Sequence, residues 1–244
     1  MTPDSAGGAH QVHEASSTVG ASRLTVGDDH GTVIRVKGDP TCPRCGAEIR
    51  PPGVWSSRWS CSTHGDVFPL QPVPIPSARL ARQLGERSPV PLWLPWPLPR
   101  GWVVSAILHV GDEVSGVRAT GVATSGPNPL GGPADLLLVA EEQGVGLGAR
   151  FAGMEGADPG AVVQREPQAK LEVEGRPVPL WWVDSDGDRA VYVGQWGGRW
   201  LWAILRPQSA GVMLLEDVPV ADLRRLGLEA DLLPYGTPPP WLAM

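Results

Sequence analysis

Short apolar runs separated by turn residues fill the second half of the chain. Each run is aliphatic or aromatic, and Gly, Pro, Asn or Asp stands between one run and the next, which is typical of β-strands joined by turns. The runs cover residues 102–110, 117–124, 136–140, 169–173, 180–184, 190–194, 199–205 and 212–215. The pattern predicts a mostly antiparallel sheet.

Two dipeptides between these runs have the composition of tight hairpin turns. Asp186-Gly187 and Gly197-Gly198 each join two apolar runs, and two-residue hairpin loops need residues that tolerate a positive φ. We therefore expect the strands that flank them to form an antiparallel meander.

Helix signals are few. Ser77 is placed to cap a short helix that ends near Gly85. A second short amphipathic helix is predicted over 219–226, with Asp217 as its cap and Gly227 as its stop. The chain is therefore predicted to be poor in helix.

A proline-rich segment precedes the first run. Residues 89–99 read PVPLWLPWPLP, and because each proline fixes its own φ and restrains the preceding residue, the segment is predicted to be extended or polyproline II. Trp93 and Trp96 are expected to fix it to the following domain, with an exposed ligand for an aromatic groove as the alternative.

Two pairs of ligand-type residues have the spacing of zinc knuckles. The first pair is Cys42-Pro-Arg-Cys45, the second is Cys61-Ser-Thr-His64, and 15 residues separate them. A glycine follows each pair, where the chain must reverse tightly. Four such ligands fill a tetrahedral zinc shell and leave no position for water or substrate. The sequence therefore predicts a structural Zn2+ site, against the alternative of a reactive Cys-x-x-Cys with an unrelated Cys61.

The residues around these ligands indicate a small ribbon. Trp55 and Trp59 between the pairs, and Phe68 after them, are expected to pack as its strand residues. A segment this short cannot build an adequate core, so metal binding is expected to supply its folding energy.

These patterns together predict an α+β, mostly β protein with few short helices. Residues 1–31 have almost no bulky apolar side chains and are predicted to be a disordered extension. A zinc ribbon follows at 32–70, then a proline-rich linker with a short helix at 71–100, an antiparallel β-rich domain at 101–238 and a tail at 239–244.

Composition narrows the possible partners and the location. The net charge of −6 disfavours generic nucleic-acid binding, and the ribbon carries only a weak excess of positive charge, so a weak nucleic-acid-binding ribbon is the lesser alternative. The apolar runs fall short of the roughly 20 residues that a membrane helix needs. No signal-peptide pattern opens the sequence, and we predict a cytoplasmic protein without a membrane contact.

Six segments together resemble an uncharacterised family of bacterial zinc-ribbon proteins, a domain of unknown function. They are TCPRCG at 41–46, CSTHG at 61–65, PLWLPWPLPRGW at 91–102, ATSGPNPLGGPADLLLVAEEQGVGLGARFAG at 123–153, PLWWV at 179–183 and RWLWAIL at 199–205. The resemblance covers nearly everything after residue 37. Some such proteins carry the label phosphotransacetylase, but no residues in this chain support that activity.

A glycine-rich loop is the candidate for a small-molecule site. Gly144, Gly146 and Gly148 free backbone N–H groups to approach an anion, and Arg150 adds guanidinium donors. The spacing is GxGxG rather than GxGxxG, and no long helix is predicted after it. Ordinary turn geometry is therefore the favoured interpretation, and a small anionic ligand is the alternative.

Three other polar groups have simple structural interpretations. Residues 184–188 resemble the start of a calcium loop but lack its downstream glutamate, so a hairpin tip is expected. His109 lies near Asp112 and Glu113, where a strand-end histidine is favoured over an acid/base pair. Glu141 and Glu142 are adjacent and should point apart on a strand.

The chain has 11 tryptophans but only two Phe and two Tyr, so indoles must fill much of the core. Trp181 and Trp182 are adjacent and must face opposite sides of a strand, which indicates an interface. We predict no catalytic residues and a non-enzymatic interaction or regulatory module with a protein partner. The alternative is an enzyme that holds a phosphorylated or acyl substrate at the glycine loops and Arg150.

Overall fold

The computed structural model describes residues 38–54 and 56–242. The predicted disordered extension at 1–31 and the strand prediction for Trp55 lie outside these residues. Within the described residues, no helix combines the length and the apolar composition that a membrane span requires.

Two short strands form the hairpin of the N-terminal ribbon. They are β1 (Trp59–Cys61) and β2 (Gly65–Val67), paired antiparallel. Arg50 exchanges backbone hydrogen bonds with Ser60 and so adds a third short segment beside β1.

Nine further strands form one curled sheet. They are β3 (Trp93–Pro95), β4 (Val103–Asp112), β5 (Gly116–Pro127), β6 (Pro133–Glu141), β7 (Ala169–Val173), β8 (Arg176–Trp182), β9 (Ala190–Trp196), β10 (Arg199–Arg206) and β11 (Val218–Asp222). The order is β3-β11-β7-β8-β9-β10-β6-β5-β4, and all neighbours are antiparallel except β11 and β7. The predicted mostly β, antiparallel-rich class with few helices is confirmed.

The sheet curls until its first strand returns over its middle. Trp93 of β3 packs in the same buried cluster as Leu136 and Leu138 of β6, although β3 and β6 are far apart in the strand order. Two adjacent indoles lie on opposite faces of the sheet. Trp181 packs against one core cluster and Trp182 against another. The predicted opposite orientation of this pair is confirmed.

One of the two predicted hairpin turns and the capping signal hold in the structure, whereas Asp186-Gly187 lies in a longer connection, residues 183–189, between β8 and β9. Trp196 pairs with Arg199 across Gly197 and Gly198, whose φ values are +57° and +77°. Helix α1 (Ala78–Arg87) begins at the predicted cap, where the Ser77 hydroxyl accepts a hydrogen bond from the Leu80 N–H. It runs past the predicted end near Gly85 and ends at Arg87. The Arg224 side chain packs beside Gly85, with its Cγ 3.2 Å from where a Cβ would stand.

Two predicted elements are wrong. Residues 212–215 lie in a 3-10 helix, Gln208–Leu215, instead of a strand. Residues 218–222 form strand β11 between β7 and β3, and 3-10 turns follow, so there is no amphipathic helix over 219–226. Backbone pairing with strands distant in sequence overrides the local helical spacing here.

Segments from both ends of the chain cover the edge strand β4. The N–H of Gly111 donates to the Pro69 carbonyl, and the N–H of Gln71 donates to the His109 carbonyl. At the other end of the strand, Val104 exchanges backbone hydrogen bonds with residues 234 and 236. All of the described residues belong to one compact unit.

Candidate metal centre

Two tight turns in the ribbon present the four predicted metal ligands. In the first turn the N–H of Gly46 donates to the Cys42 carbonyl at 2.8 Å, and Gly46 has a φ of +77°. In the second, Gly65 follows His64 with a φ of +68°. Both turns therefore need glycine where the sequence places it.

The four ligand atoms converge on one point. Those of Cys42, Cys45, Cys61 and His64 all lie within 4.8 Å of one another. The Cys42 Sγ is 3.6 Å from the His64 Nδ1, and the Cys61 Sγ is 3.7 Å from both the Cys45 Sγ and the His64 Nδ1. Ligands about 2.0–2.3 Å from one tetrahedral ion stand at about this separation from each other. The cluster is compatible with a metal site.

The protein environment alone shifts the pKa values of two of the thiols in opposite directions. Burial raises the pKa of the Cys42 thiol to about 11. Burial also acts to raise the pKa of Cys61, but hydrogen bonds from the backbone N–H groups of Thr63 and His64 outweigh it and bring that pKa to about 6. A bound cation favours the thiolate at both positions.

The ribbon is fixed to the sheet by its aromatic residues. The Trp59 Nε1 donates to the Asp112 Oδ2 at 2.8 Å, at the end of β4. The Arg118 guanidinium of β5 lies 5.4 Å from the centre of the Phe68 ring and pairs with Glu142. Sequence reasoning assigned Trp59 and Phe68 to the ribbon but did not identify these contacts.

Two arginines join the metal ligands to the glycine-rich loop 144–148. Arg44, between the first two cysteines, donates from Nη2 to the Gly144 carbonyl at 2.5 Å and from Nε to the Val145 carbonyl at 3.3 Å. Arg150 lies on helix α2 (Leu147–Ala152), and a Cβ on Gly46 would stand 2.5 Å from its Nη2. The loop and Arg150 thus lie beside the metal ligands.

A buried carboxyl group occupies the N–H groups of the same loop. The Glu141 carboxylate accepts from the Leu147 N–H at 2.7 Å and from the Gly148 N–H at 3.2 Å. Glu141 is fully buried, and burial raises its pKa to about 8 despite these donors. Glu142 points instead towards Arg118, so the expected divergence of the two carboxylates is confirmed. No sequence signal marked Glu141 as buried.

The third glycine of the loop serves close packing. A Cβ on Gly148 would lie 2.1 Å from the Cδ1 of Trp202, which is fully buried. Gly146 is approached by the Arg44 side chain, and Gly144 donates its N–H to Asp158. Ligand binding by Gly144, Gly146, Gly148 and Arg150 stays a prediction.

The other candidate groups have structural partners. The Asp112 carboxylate accepts from Trp59 and Ser115, and burial lowers the pKa of His109 to about 4. In the loop 184–188, Asp184 accepts from the Trp182 indole N–H and Asp188 from the Gln208 N–H. These contacts agree with the strand-end and hairpin-tip interpretations.

Two shallow cavities lie on the surface away from the metal ligands. One, of about 360 Å³, is lined by Trp182 and Asp184, and the other, of about 380 Å³, by Arg206 and Trp241. Neither His109 nor Arg150 lines either cavity.

The sequence pattern of one protein family matches residues 36–242, and that family is described as one of unknown function, DUF6758. No curated protein and no solved structure was found to match the chain. The match confirms the resemblance to an uncharacterised family over almost all of the described chain. The family's description includes neither a zinc ribbon nor a phosphotransacetylase.

Proposed function

The chain belongs to this family of unknown function, and we propose that it is a non-enzymatic interaction or regulatory module whose N-terminal ribbon is held by a structural Zn2+. The observation that carries the proposal is the convergence of Cys42, Cys45, Cys61 and His64 at tetrahedral spacing. Four protein ligands complete the shell of a structural zinc and leave no place for a substrate.

The donor set favours zinc over the other common metals. Thiolate and imidazole ligands suit zinc, whereas calcium and magnesium prefer oxygen ligands. The three cysteines form no disulfide with one another, which suits metal ligation in a reducing compartment. We propose a cytoplasmic location, where such a cysteine-ligated zinc site is stable.

The distribution of surface groups supports a binding module over an enzyme. An enzyme needs a pocket that gathers its reactive groups, and the two shallow cavities include neither Arg150 nor His109. A binding module needs exposed apolar side chains. Leu228 and Leu232 of the 3-10 helix Gly227–Leu232 are more than four-fifths exposed, with relative accessibilities of 81% and 84%.

The decisive experiment is affinity purification of the full chain from its native host with the metal retained, followed by elemental analysis. We expect one zinc per chain and a stoichiometric protein partner. The Cys61→Ser variant should lose both, while Ser62→Ala, at an exposed position in the same turn, should keep both. A preparation without zinc, or a zinc-loaded protein that retains no partner, would overturn the proposal.

A further inference from the structure

We infer that Arg150 is the counter-cation of the metal centre and that Arg150 and Arg44 together make the position of the loop 144–148 and helix α2 depend on metal occupancy. The inference rests on the proposed metal site and concerns how occupancy of that site is transmitted to the sheet. Arg44 belongs to the ribbon and contacts the loop, whereas Arg150 belongs to helix α2 and contacts the ribbon at Gly46.

The first support is the close approach of Arg150 to the first knuckle. A Cβ on Gly46 would stand 2.5 Å from the Arg150 Nη2 and 2.9 Å from its Cζ. The guanidinium therefore lies directly against the turn that follows Cys45, in the space that Gly46 leaves open. Burial lowers the pKa of Arg150, and the neighbouring charges of Cys42 and Cys45 act in the opposite direction.

The second support is the charge of the centre. Three thiolates and a neutral imidazole around a dication leave one excess negative charge. Cys42 and Cys61 are buried, and an uncompensated buried charge is costly. The Arg150 guanidinium, which interacts electrostatically with Cys42 and Cys45, supplies the missing positive charge.

The third support is the way the knuckle holds the loop. Arg44 is part of the turn between Cys42 and Cys45, so its backbone position depends on both ligands. Its side chain donates to the carbonyls of Gly144 and Val145. Loss of the ion frees this turn and removes the donors from the loop.

The opposite side of the loop is held by the sheet. Glu141 of β6 accepts from the N–H groups of Leu147 and Gly148, and these begin helix α2, which carries Arg150. The loop therefore lies between a fixed carboxyl group and a metal-dependent turn. The sequence offered an anionic ligand as the alternative for this glycine loop and Arg150, and the groups that they meet in the structure belong to the protein itself: the Glu141 carboxyl for the loop and the cysteine ligands for Arg150.

The charge role is tested by metal affinity in the full chain. Zinc is competed against a chromophoric chelator for the wild type, Arg150→Gln, Arg150→Lys and the control Arg118→Gln, whose guanidinium contacts Phe68 and Glu142. We expect Arg150→Gln to bind zinc about 10- to 100-fold more weakly, as for other outer-shell partners of metal ligands. Arg150→Lys should recover most of this loss, and Arg118→Gln should bind as the wild type does.

A cobalt spectrum separates charge from folding. Co2+ in Arg150→Gln should keep the intense d–d bands of a tetrahedral site, while its thiolate-to-metal charge-transfer band moves to lower energy because a positive charge has left the sulfurs. Arg150→Lys should restore the band. Unchanged affinity and an unchanged charge-transfer band in Arg150→Gln would overturn the counter-cation role.

The coupling is tested by hydrogen exchange in the wild type. Removal of zinc should speed amide exchange at 144–152 but leave strand β9 protected. Unchanged exchange at 144–152 would overturn the coupling. A wild-type chain that binds neither Zn2+ nor Co2+ would instead overturn the proposed function itself, so the two failures are distinguishable.

Discussion

Glu141 and Glu142 are consecutive in the chain, and the alternation of β6 gives them opposite environments. Glu141 is fully buried against the N–H groups of residues 147 and 148, whereas Glu142 pairs with Arg118 at the surface. Burial raises the pKa of Glu141 to about 8, and the negative charge of Asp158 acts in the same direction. A residue type that is normally ionised is therefore neutral in the folded protein over most of the physiological range.

This raised pKa makes stability depend on pH in a definite direction. Between 4.5 and about 8 the folded chain holds a proton on Glu141 that the unfolded chain releases. The free energy of unfolding therefore falls as pH rises through this window, by at most about 1.4 kcal/mol per pH unit. Glu141→Gln should remove this slope in denaturant titrations at saturating zinc. Glu142→Gln should keep it, and a slope that persists in Glu141→Gln would contradict the assignment.

A second residue-scale prediction concerns the close approach at Gly148. A methyl group there would stand 2.1 Å from the buried Trp202 indole, and overpacking of this kind costs about 1–3 kcal/mol. Gly148→Ala should lower the denaturation midpoint accordingly. The control is Gly53→Ala, where nothing lies within 4 Å of the new Cβ, and equal stability of the two variants would disprove the packing role.

At the scale of single elements, helix α1 shows how local signals set a boundary. Ser77 has an extended backbone, and its hydroxyl accepts from the Leu80 N–H at 3.3 Å. Ala81 and Leu84 then face the core with Leu92 and Leu94. The cap and the apolar spacing agree, so the sequence places this helix correctly.

Removal of the cap should cost a predictable amount. Ser77→Ala leaves the first-turn N–H group without its acceptor, and such changes destabilise by about 1 kcal/mol. Ser77→Asp keeps an acceptor and should retain wild-type stability. Chemical denaturation of both variants measures the difference, and a fully stable Ser77→Ala would show that the cap contributes nothing.

The elements that sequence reasoning misassigned are those with distant partners. Strands with clear alternation and a two-residue turn, such as β9 and β10, are predictable because neighbours in sequence pair in space. Strand β11 reads as a helix, but Val220 pairs with Val173 on one side and with Pro95 on the other. No local pattern reports such partners.

The residues of the candidate site also fall into two groups, those with a local sequence signal and those without one. The ligand spacing is local, so Cys42, Cys45, Cys61 and His64 could be found from the sequence alone. Arg44 could not, since its role depends on Gly144, 100 residues further along the chain. The partners of Glu141 at residues 147 and 148 are close in sequence, but its burial depends on how β6 packs in the folded sheet. No periodic pattern in the sequence identifies a single charged residue that contacts a distant part of the chain.

At the scale of the whole molecule, the ribbon and the sheet are continuous. Leu70 pairs with Thr41 of the ribbon on one side and with Val110 of β4 on the other. The Trp59 indole and the Arg44 guanidinium add two more attachments. Loss of the ribbon's structure should therefore destabilise the edge strand β4.

Metal removal should accordingly lower the stability of the whole chain. We expect chelation of the full-length protein to lower the midpoint of its main calorimetric transition, because binding energy at a structural zinc site is folding energy. Cys61→Ser should reproduce the shift without a chelator. A small separate transition for the ribbon, with the main one unchanged, would contradict this expectation.

Strand β4 is covered by residues 69–71 on one side of the sequence and by residues 234–236 on the other. Removal of either segment would expose backbone N–H and C=O groups with which another strand can pair. A fragment that begins after residue 72 would leave the N–H of Gly111 without its Pro69 acceptor, and one that ends before residue 234 would leave the Val104 backbone without partners. Such exposed edges recruit other chains. Proteolytic products that lack either segment should therefore self-associate through β4 more than the intact chain does, which size-exclusion chromatography would measure.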